Sequence, residues 1–304
     1  MPGASGDAWS FDVVTTDLEF PEGPVALPDG DVLVVEVRGG RLTRVAADGA
    51  KHVVADVGGG PNGAAIGPDD AAYVVNNGGF AWMKLPDFWI PVGEDGGNEP
   101  PGFAGGWIDR VDLDTGEVRR LYSECDGVPF AGPNDIVFDR HGGFWFTDFG
   151  KVRPRTMDRG SLLYAQADGS GVRRVADHII GPNGVGLSPD GKHVYVAETY
   201  TGRVLRWDVA GPGEVEGRQT IVATTPDHFD SLAVEEDGTV VVAAIRGLFV
   251  LRPDGSSSML PLPDFMITNV CFGGPDRRTA YVTMSGSGRL VRGAWPRPGL
   301  ALAW

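Results

Sequence analysis

The stretch GPNDIVFDRHGGFWFTDFG, from Gly132 to Gly150, contains the pattern on which the fold of this chain depends. Two runs rich in β-branched and aromatic residues, IVF and FWFT, flank the turn-forming sequence DRHGG. A Gly-Pro-Asn sequence precedes the first run and places Asn134 at its start. The stretch therefore predicts a strand, a tight turn and a second, antiparallel strand.

The same unit recurs, so that the chain contains six copies of it. The other copies read PEGPVALPDG, PNGAAIGPDD, PNGVGLSPDG, FDSLAVEEDG and TNVCFGGPDR, starting at Pro21, Pro61, Pro182, Phe229 and Thr268. The second residue of each unit, called its anchor here, carries a side-chain oxygen: Glu22, Asn62, Asn134, Asn183, Asp230 and Asn269. Successive anchors are 40, 72, 49, 47 and 39 residues apart, with further β-rich runs such as RVLRWDV between them. Repeats of about 40–50 residues with about four strands each are typical of propeller blades.

The repeat predicts an all-β fold: a six-bladed β-propeller with four-stranded antiparallel blades around a central channel. The residues near Ser10–Thr16 precede the first anchor and are expected to complete the last blade. The whole chain, residues 1–304, then forms a single domain. The alternative is an open sandwich in which the similarity between the units is incidental. In either case 46 glycines and 23 prolines favour many short elements joined by turns.

Composition and charge limit the classes of partner. With 42% hydrophobic and 22% charged residues, the chain resembles neither a disordered nor a membrane protein. No apolar run approaches the roughly 18–20 residues of a membrane helix. The net charge of −15 argues against a nucleic-acid partner and suits cation binding. A small-molecule substrate is the expected partner, and the oligomeric state stays open.

The amino terminus and the cysteines indicate the cellular compartment. The sequence MPGASGDAWSFD has neither the basic nor the apolar segment of a signal peptide. Cys125 and Cys271 are too few for a disulfide framework and lack CxxC spacing. A cytoplasmic location with reduced thiols is expected, and a single disulfide between the two cysteines is the alternative.

The anchors predict a metal site in the channel. The first strand of each propeller blade lines the channel, so residues at one phase of the repeat lie at one height around it. One Glu, one Asp and four Asn offer hard oxygen ligands, which suit Ca²⁺, although another divalent cation is possible. Because one ion cannot sit equidistant from a wide ring, four ligands are expected rather than six. The alternative is that the Gly-Pro-Asn asparagines serve turn chemistry alone.

The longest interval between anchors contains an insert, residues 77–106. It follows a second strand, at the side of the channel where the anchors lie. Its aromatic residues predict a lid over the metal that favours bulky, apolar substrates, with Trp82 and Trp89 as substrate contacts. The alternative is that these side chains pack on a neighbouring blade and only stabilise the loop. Four second strands end in polar residues that fit either a strand-end role or a site role: Glu36, Asn76, Asp148 and Glu198.

Other motifs add little chemistry. The sequence contains no GxSxG elbow, no P-loop and no HExxH. His228, two residues before Asp230, is either a rim residue or a substrate contact. Asp135 should point away from its neighbour Asn134 and is interpreted as structural. The stretch KVRPRTMDR, from Lys151, is interpreted as a solvated loop.

Three stretches together resemble the SMP-30/gluconolactonase/luciferin-regenerating-enzyme family: FPEGP (Phe20–Pro24), Gly132–Gly150, and GPNGVGLSPDGKHVYVAET (Gly181–Thr199). The resemblance extends over nearly the whole chain and implies a six-bladed Ca²⁺ propeller. It implies that Glu22, Asn183 and Asp230 ligate the ion. Asn134 matches an asparagine that ligates the metal in some members and contacts substrate in others.

The family includes lactonases that hydrolyse cyclic esters and a related branch that hydrolyses organophosphates. Ser231 and the GGFWFTDFG stretch resemble the bacterial lactonase branch. Gly132 stands where some sugar-lactone hydrolases carry a substrate-binding arginine, which argues against a specific aldonolactone.

The sequence therefore predicts first a Ca²⁺-dependent lactonase or esterase that uses metal-activated water. Asp230 is the candidate general base, and Asn134 a ligand or carbonyl-orienting group, so both are candidate catalytic residues. Asn62 and Asn269 fit substrate contacts better than metal contacts. One alternative is a phosphotriesterase-like hydrolase with the same ion. Another, from a different class, is a non-catalytic calcium-binding propeller.

Overall fold

A computed structural model describes residues 9–304 of the 304-residue chain. These residues form strands, turns and loops, and none of them is helical. Accordingly, no helix in the described range could cross a membrane. The first eight residues, on which most of the signal-peptide interpretation rests, lie outside the described part.

The strands form six four-stranded antiparallel sheets, each of which is one blade. Blades 1 and 2 contain Pro21–Ala26, Val32–Glu36, Arg41–Val45 and Lys51–Asp56, then Pro61–Ile66, Ala72–Asn76, Trp107–Val111 and Val118–Tyr122. Blades 3 and 4 contain Pro133–Phe138, Gly143–Asp148, Gly160–Gln166 and Val172–Ile179, then Pro182–Leu187, His193–Glu198, Arg203–Gly211 and Glu214–Thr224. Blades 5 and 6 contain Phe229–Val234, Val240–Ala244, Gly247–Leu251 and Ser257–Pro261, then Ile267–Gly273, Thr279–Met284, Arg289–Ala294 and Asp12–Thr15.

The amino-terminal strand closes the ring, as the sequence predicted. Asp12–Thr15 pairs antiparallel with Arg289–Ala294, so blade 6 combines strands from both ends of the chain. The first strands of neighbouring blades contact one another all around the channel. The six-bladed propeller is therefore confirmed, and the open sandwich is excluded.

The hydrophobic core lies between neighbouring blades. Tyr73 of blade 2 packs edge-on against Phe138 of blade 3, with ring centroids 4.9 Å apart. Trp145 of blade 3 belongs to one buried cluster with Val196 and Trp207 of blade 4. The second strand of a blade, such as Val32–Glu36 or Val240–Ala244, is covered on both faces and is buried along its whole length, whereas the outer strands Lys51–Asp56 and Glu214–Thr224 are largely exposed.

Each inner strand is irregular at or near its anchor. A register shift interrupts the pairing of each first strand with the second strand of its blade, at the anchor itself or within two residues of it. Such β-bulges are common next to functional sites because they re-aim a side chain out of the regular pleat. The irregularities lie between these pairs: Glu22 and Val25, Pro61 and Gly63, Pro133 and Ile136, Pro182 and Val185, Phe229 and Leu232, Ile267 and Asn269.

In the described part of the chain, three two-stranded hairpins lie outside the blades: Met83–Lys84 with Trp89–Ile90, Glu124–Cys125 with Val128–Pro129, and Val152–Arg153 with Thr156–Met157. The first belongs to the insert, which occupies residues 77–106 between the second and third strands of blade 2. Cys125 and Cys271 are free thiols, so the alternative of a disulfide between them is wrong.

The two ends of the channel differ, and we call them the anchor end and the turn end. The inner strands start at the anchor end and finish at the turn end. A cavity of about 1250 Å³ extends from the anchor Asn269 to the turn end, and its lining combines apolar side chains such as Leu187 and Val234 with charged ones such as Asp190. A C-terminal strap, residues 299–304, crosses this end. The backbone N–H of Leu300 donates to the Val234 oxygen at 2.9 Å, while Ala303 packs on the cluster between blades 2 and 3.

Candidate metal centre

Glycines after the anchors let neighbouring inner strands approach one another closely. A Cβ on Gly63, which follows Asn62, would lie 2.7 Å from the backbone oxygen of Asn134. A Cβ on Gly184, which follows Asn183, would lie 2.5 Å from the backbone nitrogen of Leu232. Only a residue without a Cβ fits at these positions. The Asn-Gly pairs therefore bring anchors of adjacent blades together.

Two buried oxygens in the ring of anchors have no hydrogen-bond donor. Glu22 is 2% exposed, and its Oε2 accepts from the Gly23 N–H at 2.6 Å and from the Asn269 amide at 2.8 Å. Its Oε1 has no partner, and neither has Oδ1 of the buried Asn134. A buried acceptor without a donor is unfavourable. A bound cation would satisfy both atoms.

The negative charges of the ring are not compensated by protein cations. Burial raises the pKa of Glu22 well above its usual range, and the charge of Asp230 raises it further. Burial also raises the pKa of Asp230 to about 7, opposed by a hydrogen bond from Asn183 and reinforced by the charge of Asp135. Within residues 9–304, no lysine, arginine or histidine forms an ion pair with these three carboxylates. The ring of anchors therefore has negative charge that a bound cation would neutralise.

Asn183 and Asp230 lie on neighbouring inner strands, and Asn183 forms hydrogen bonds with Asp230 and with the residue that follows it. The Ser231 hydroxyl donates to Asn183 Oδ1 at 3.4 Å, and the Asn183 amide donates to the Thr199 hydroxyl at 3.2 Å. Asp230 is half-buried, whereas Glu22 is almost fully buried. Of the two carboxylates, Asp230 is therefore the one accessible to a bound water or substrate.

The donor set fits calcium better than zinc. No group of three His, Cys, Asp or Glu side chains in the described part of the chain is arranged to hold a metal alone. The anchors Glu22, Asn134, Asn183 and Asp230 combine two carboxylates with two amides, all hard oxygen donors. Calcium accepts such mixed oxygen sets and irregular geometry, while zinc favours nitrogen and sulfur. The residues present fit a calcium ion.

The residues predicted to contact substrate lie in three different settings. Asn62 accepts a hydrogen bond from the Asn77 amide at 3.0 Å, which joins the ring to the start of the insert. Asn269 is buried against Glu22, and its Oδ1 accepts from the Val270 N–H at 2.7 Å. His228 is exposed and lies edge-on to Tyr200, with ring centroids 6.2 Å apart. The first two are in the ring, and His228 is at its rim.

The polar ends of the second strands support the loops that lead into the anchors. Each is buried and accepts a hydrogen bond from a backbone N–H two or three residues before an anchor. The acceptor and donor pairs are Glu36 with Glu19, Asn76 with Gly60, Asp148 with Gly132, and Glu198 with Ile180. These contacts favour the structural alternative for all four residues.

Asp135 joins two blades, in agreement with its structural interpretation. Its carboxylate accepts from the Ile136 N–H at 2.9 Å and, across the blade boundary, from the Val185 N–H at 3.1 Å. Burial raises its pKa to about 7. The charge of Asp135 also raises the pKa of Asp230. The sequence does not show this effect directly, although the position of Asp135 next to an anchor indicates that it lies near the ring of anchors.

The insert contacts neighbouring blades at the anchor end of the channel. Trp82 packs edge-on against Phe20, two residues before Glu22, with centroids 5.0 Å apart. Farther along, Trp89 lies beneath the Arg38 guanidinium at 5.0 Å, and Phe88 stacks on Phe265 of the loop before blade 6. The insert therefore leaves blade 2 and contacts blades 1 and 6 near the anchors. All of its aromatic side chains are half-buried.

The interpretation of KVRPRTMDR as a solvated loop is wrong at its first residue. Lys151 is 1% exposed, whereas Arg155 and Arg159 are exposed as expected. The reason is that the insert covers Lys151 and supplies its contacts, which local sequence does not reveal.

Comparisons with known proteins place these features in a family. The chain is 28% identical to the diisopropyl-fluorophosphatase of Loligo vulgaris, over 95% of this chain and 93% of that protein. It is 24% identical to the lactonohydrolase oryL of Aspergillus oryzae over 61% of this chain, a match that spans only 49% of that protein. Among solved structures, regucalcin of Agrobacterium tumefaciens, a calcium-binding protein, superposes with a TM-score of 0.73 at 19% identity, covering 97% of this chain and 98% of that one.

The family model described as the SMP-30/Gluconolactonase/LRE-like region matches residues 20–286. That range begins two residues before the first anchor and includes all six anchors and the insert. The chain thus belongs to the SMP-30/gluconolactonase/LRE-like family.

Proposed function

We propose that the chain is a Ca²⁺-dependent hydrolase that opens a lactone or related ester, acting on a fairly apolar small molecule. The observation that carries the proposal is the pair of buried, unpartnered oxygens, Glu22 Oε1 and Asn134 Oδ1, in a ring of uncompensated negative charge. The names of the relatives, a lactonohydrolase and a diisopropyl-fluorophosphatase, support hydrolysis as the reaction class.

Glu22, Asn134, Asn183 and Asp230 are the proposed ligands, and another divalent cation is the alternative to calcium. When bound there, the ion would supply Lewis-acid polarisation of the substrate carbonyl and stabilise the negative charge that develops on its oxygen. Glu22, buried and held by Asn269 and the Gly23 N–H, serves as a ligand alone.

Asp230 is the proposed general base. It is the half-buried carboxylate of the ring, so its oxygens can orient a water molecule in the channel and accept its proton. Asn183, on the inner strand of the preceding blade, contacts Thr199 and Ser231. It also donates a hydrogen bond to Asp230 and so helps to position that carboxylate. Asn134 has a free amide oxygen and is proposed as ligand and carbonyl-orienting group.

We assign the substrate contacts to the ring of anchors, to its rim and to the insert. Asn62 and Asn269 offer amide groups beside the ligands, and His228 lies at the rim. The insert, with Trp82 and Trp89, is proposed as a lid that selects bulky, apolar molecules. We propose the cytoplasm as the location, in agreement with two free thiols.

Two other functions remain candidates. The similarity to diisopropyl-fluorophosphatase over 95% of the chain favours a phosphotriesterase-like reaction at the same ion. The likeness to a protein described as calcium-binding supports a non-catalytic calcium propeller.

A hydrolysis panel tests the proposal. Apolar lactones, polar lactones, simple esters and phosphotriesters are assayed with added Ca²⁺ and again with a chelator. The proposal predicts turnover of the apolar lactones that the chelator abolishes and Ca²⁺ restores. Turnover of phosphotriesters alone would support the first alternative. No turnover of any class, with calcium binding intact, would support the non-catalytic propeller.

A further inference from the structure

Lys151 differs from every other lysine of the chain. Lys51, Lys84 and Lys192 are exposed, whereas Lys151 is 1% exposed. It follows the second strand of blade 3 at the anchor end of the channel. A lysine is almost never fully buried unless its ammonium has partners, so its surroundings call for an explanation.

The ammonium of Lys151 contacts both ends of the insert. Its Nζ donates to the backbone oxygen of Gly79 at 2.7 Å and lies 4.5 Å from the ring centroid of Phe80. On its other side the ring centroid of Phe103 is 4.8 Å away. Gly79 and Phe80 lie at the start of the insert and Phe103 near its end. One cation therefore joins the two roots of the insert through a carbonyl and two aromatic faces.

Other contacts hold residues 98 and 99 of the insert to the loop that follows Lys151. Asn98 exchanges two hydrogen bonds of 2.8 Å with the backbone of Val152, and Arg153 forms an ion pair with Glu99 at 2.7 Å. At the start of the insert, the Asn77 amide donates to Asn62, the Ala81 N–H donates to the Asn98 oxygen, and Trp82 packs on Phe20. Lys151 adds to these contacts a charged group that touches both the start and the end of the insert.

The burial of Lys151 is unfavourable for folding. Burial lowers its pKa to about 7, although the charges of Asp148, Glu99 and Asp158 oppose the shift and Arg153 favours it. An apolar residue of the same length would avoid this desolvation. A residue that is unfavourable for stability and yet fully enclosed by the insert points to a role in function.

We propose that Lys151 is a positioning residue that fixes both roots of the insert over the anchor end, and so sets the preference for apolar substrates. The role in preference rests on the proposed function, whereas the positioning does not. Moving either root would leave a buried ammonium without its carbonyl or one of its aromatic faces. The two roots are therefore held in one arrangement relative to the ligands.

Limited proteolysis tests the positioning without any substrate. Lys84 lies on the insert and is an exposed trypsin site, but cleavage requires local opening of the surrounding segment. Lys151→Met removes the charge and keeps the length of the side chain. We expect it to accelerate cleavage after Lys84 by about tenfold, with the melting temperature equal to or above that of the wild type. Lys192→Met, an exposed lysine at a turn of blade 4, is the matched control and should leave cleavage unchanged.

A kinetic readout then tests substrate preference. In Lys151→Met the KM for apolar lactones should rise by about tenfold relative to that for small polar lactones, with kcat on the polar ones nearly unchanged. Failure of the proposed function would remove this readout and leave the proteolysis result intact, so the two failures are distinguishable.

Two results would overturn the positioning role. One is a rate of cleavage after Lys84 within twofold of the wild type in Lys151→Met. The other is an equal acceleration at all tryptic sites with a lower melting temperature, which would indicate a general structural role. If Lys151→Met does not fold, Phe103→Leu decides, because it removes one aromatic face and should accelerate cleavage after Lys84 selectively. Unchanged cleavage in that variant would also overturn the proposal.

Discussion

The anchor end and the turn end of the channel are built from the same six strands and yet differ in chemistry. At the anchor end, buried oxygens of Glu22 and Asn134 lack donors, and the charge of Asp230 raises the pKa of Glu22, while neither carboxylate forms an ion pair with a protein cation in the described part of the chain. Toward the turn end, the channel holds a cavity of about 1250 Å³ that begins beside the anchors, has a mainly apolar lining with charged side chains at its mouth, and is crossed by a strap of the chain's own residues. The repeat explains both ends, since every blade contributes one polar residue to the first and apolar residues to the second.

The difference between the two ends shows that the groups unfavourable for folding lie at the anchor end. Unpartnered buried oxygens and raised carboxylate pKa values are unfavourable in the metal-free protein, whereas apolar strands packed between blades are favourable. The apolar packing that stabilises the propeller is spread over all blades, whereas the buried oxygens and carboxylates that destabilise it are concentrated at the anchor end. Such concentration is expected of a site that binds something.

The largest effect is expected from removing a charge at the anchor end. Glu22→Gln and Asp230→Asn should each weaken Ca²⁺ binding and activity by about 10²–10³, because each loses a charged ligand. In the presence of a chelator the same variants should melt higher than the wild type, since the raised pKa of each carboxylate marks its charge as destabilising. Titration calorimetry and thermal melts measure the two effects.

Glu216→Gln, an exposed position on the outer strand of blade 4, is the control for loss of a carboxylate. Wild-type Ca²⁺ affinity in both Glu22→Gln and Asp230→Asn would mean that the site is wrongly assigned. Lower melting temperatures with chelator would contradict the electrostatic argument.

A smaller effect, on Ca²⁺ affinity and stability, is expected from a change of pH. A carboxylate with a raised folded pKa holds its proton while the unfolded chain has lost it, so it reduces stability progressively as pH rises from about 4 to the folded value. For Asp135 and Asp230 that value is about 7. Because Ca²⁺ must displace the proton of its ligand Asp230, its affinity should fall by about tenfold between pH 7.5 and pH 6. The rise in melting temperature on adding Ca²⁺ should therefore be larger at pH 8 than at pH 6.

The measurement is a set of thermal melts at several pH values with and without Ca²⁺, repeated on Asp230→Asn. That variant should show a weaker dependence. A stabilisation by Ca²⁺ that is equal at pH 6 and pH 8 would show that the carboxylates are already ionised in the metal-free ring.

The sequence predicted the turn and strand pattern of every blade, because each blade repeats the same local rules. It also predicted that six oxygens would share one end of the channel. The repeat alone does not distinguish Asn134, whose oxygen is free, from Asn62, whose oxygen accepts from Asn77, and the different roles predicted for them came from the family resemblance and the proposed chemistry. That distinction depends on the insert, which is not part of the repeat. Lys151 was misinterpreted for the same reason, since its partner Gly79 is 72 residues away in the chain.

An effect of similar size, on selectivity, is expected from the insert, whose contacts with Phe20 and Phe265 lie beside the anchors. Trp82→Ala should raise the KM for apolar lactones by about tenfold more than for small polar ones, because about 55 Å² of aromatic surface facing the substrate, at about 25 cal/mol per Å², contributes about 1.4 kcal/mol. Trp89→Ala should have a smaller effect, because Trp89 lies under Arg38 and farther along the insert, whereas Trp82 packs on Phe20 beside Glu22. Melting temperatures should change little.

Steady-state kinetics on matched apolar and polar lactones measure these effects. Equal losses on both substrates, or a large fall in melting temperature alone, would show that the insert is a packing loop rather than a lid.

The smallest effect is expected at the turn end. Deleting residues 301–304 removes Leu302 and Trp304, which are 62% and 50% exposed, and part of the strap across the cavity. Exposed residues far from the ligands act nearly independently of them, so Ca²⁺ affinity and activity should stay within about twofold, with a melting temperature only a few degrees lower. Trp304→Ala, which keeps the strap, should match the wild type in all three measurements. A loss of activity above about tenfold with unchanged Ca²⁺ affinity would mean that the wide cavity takes part in substrate handling. The two ends of the channel would then work together, and the concentration of function at the anchor end would be wrong.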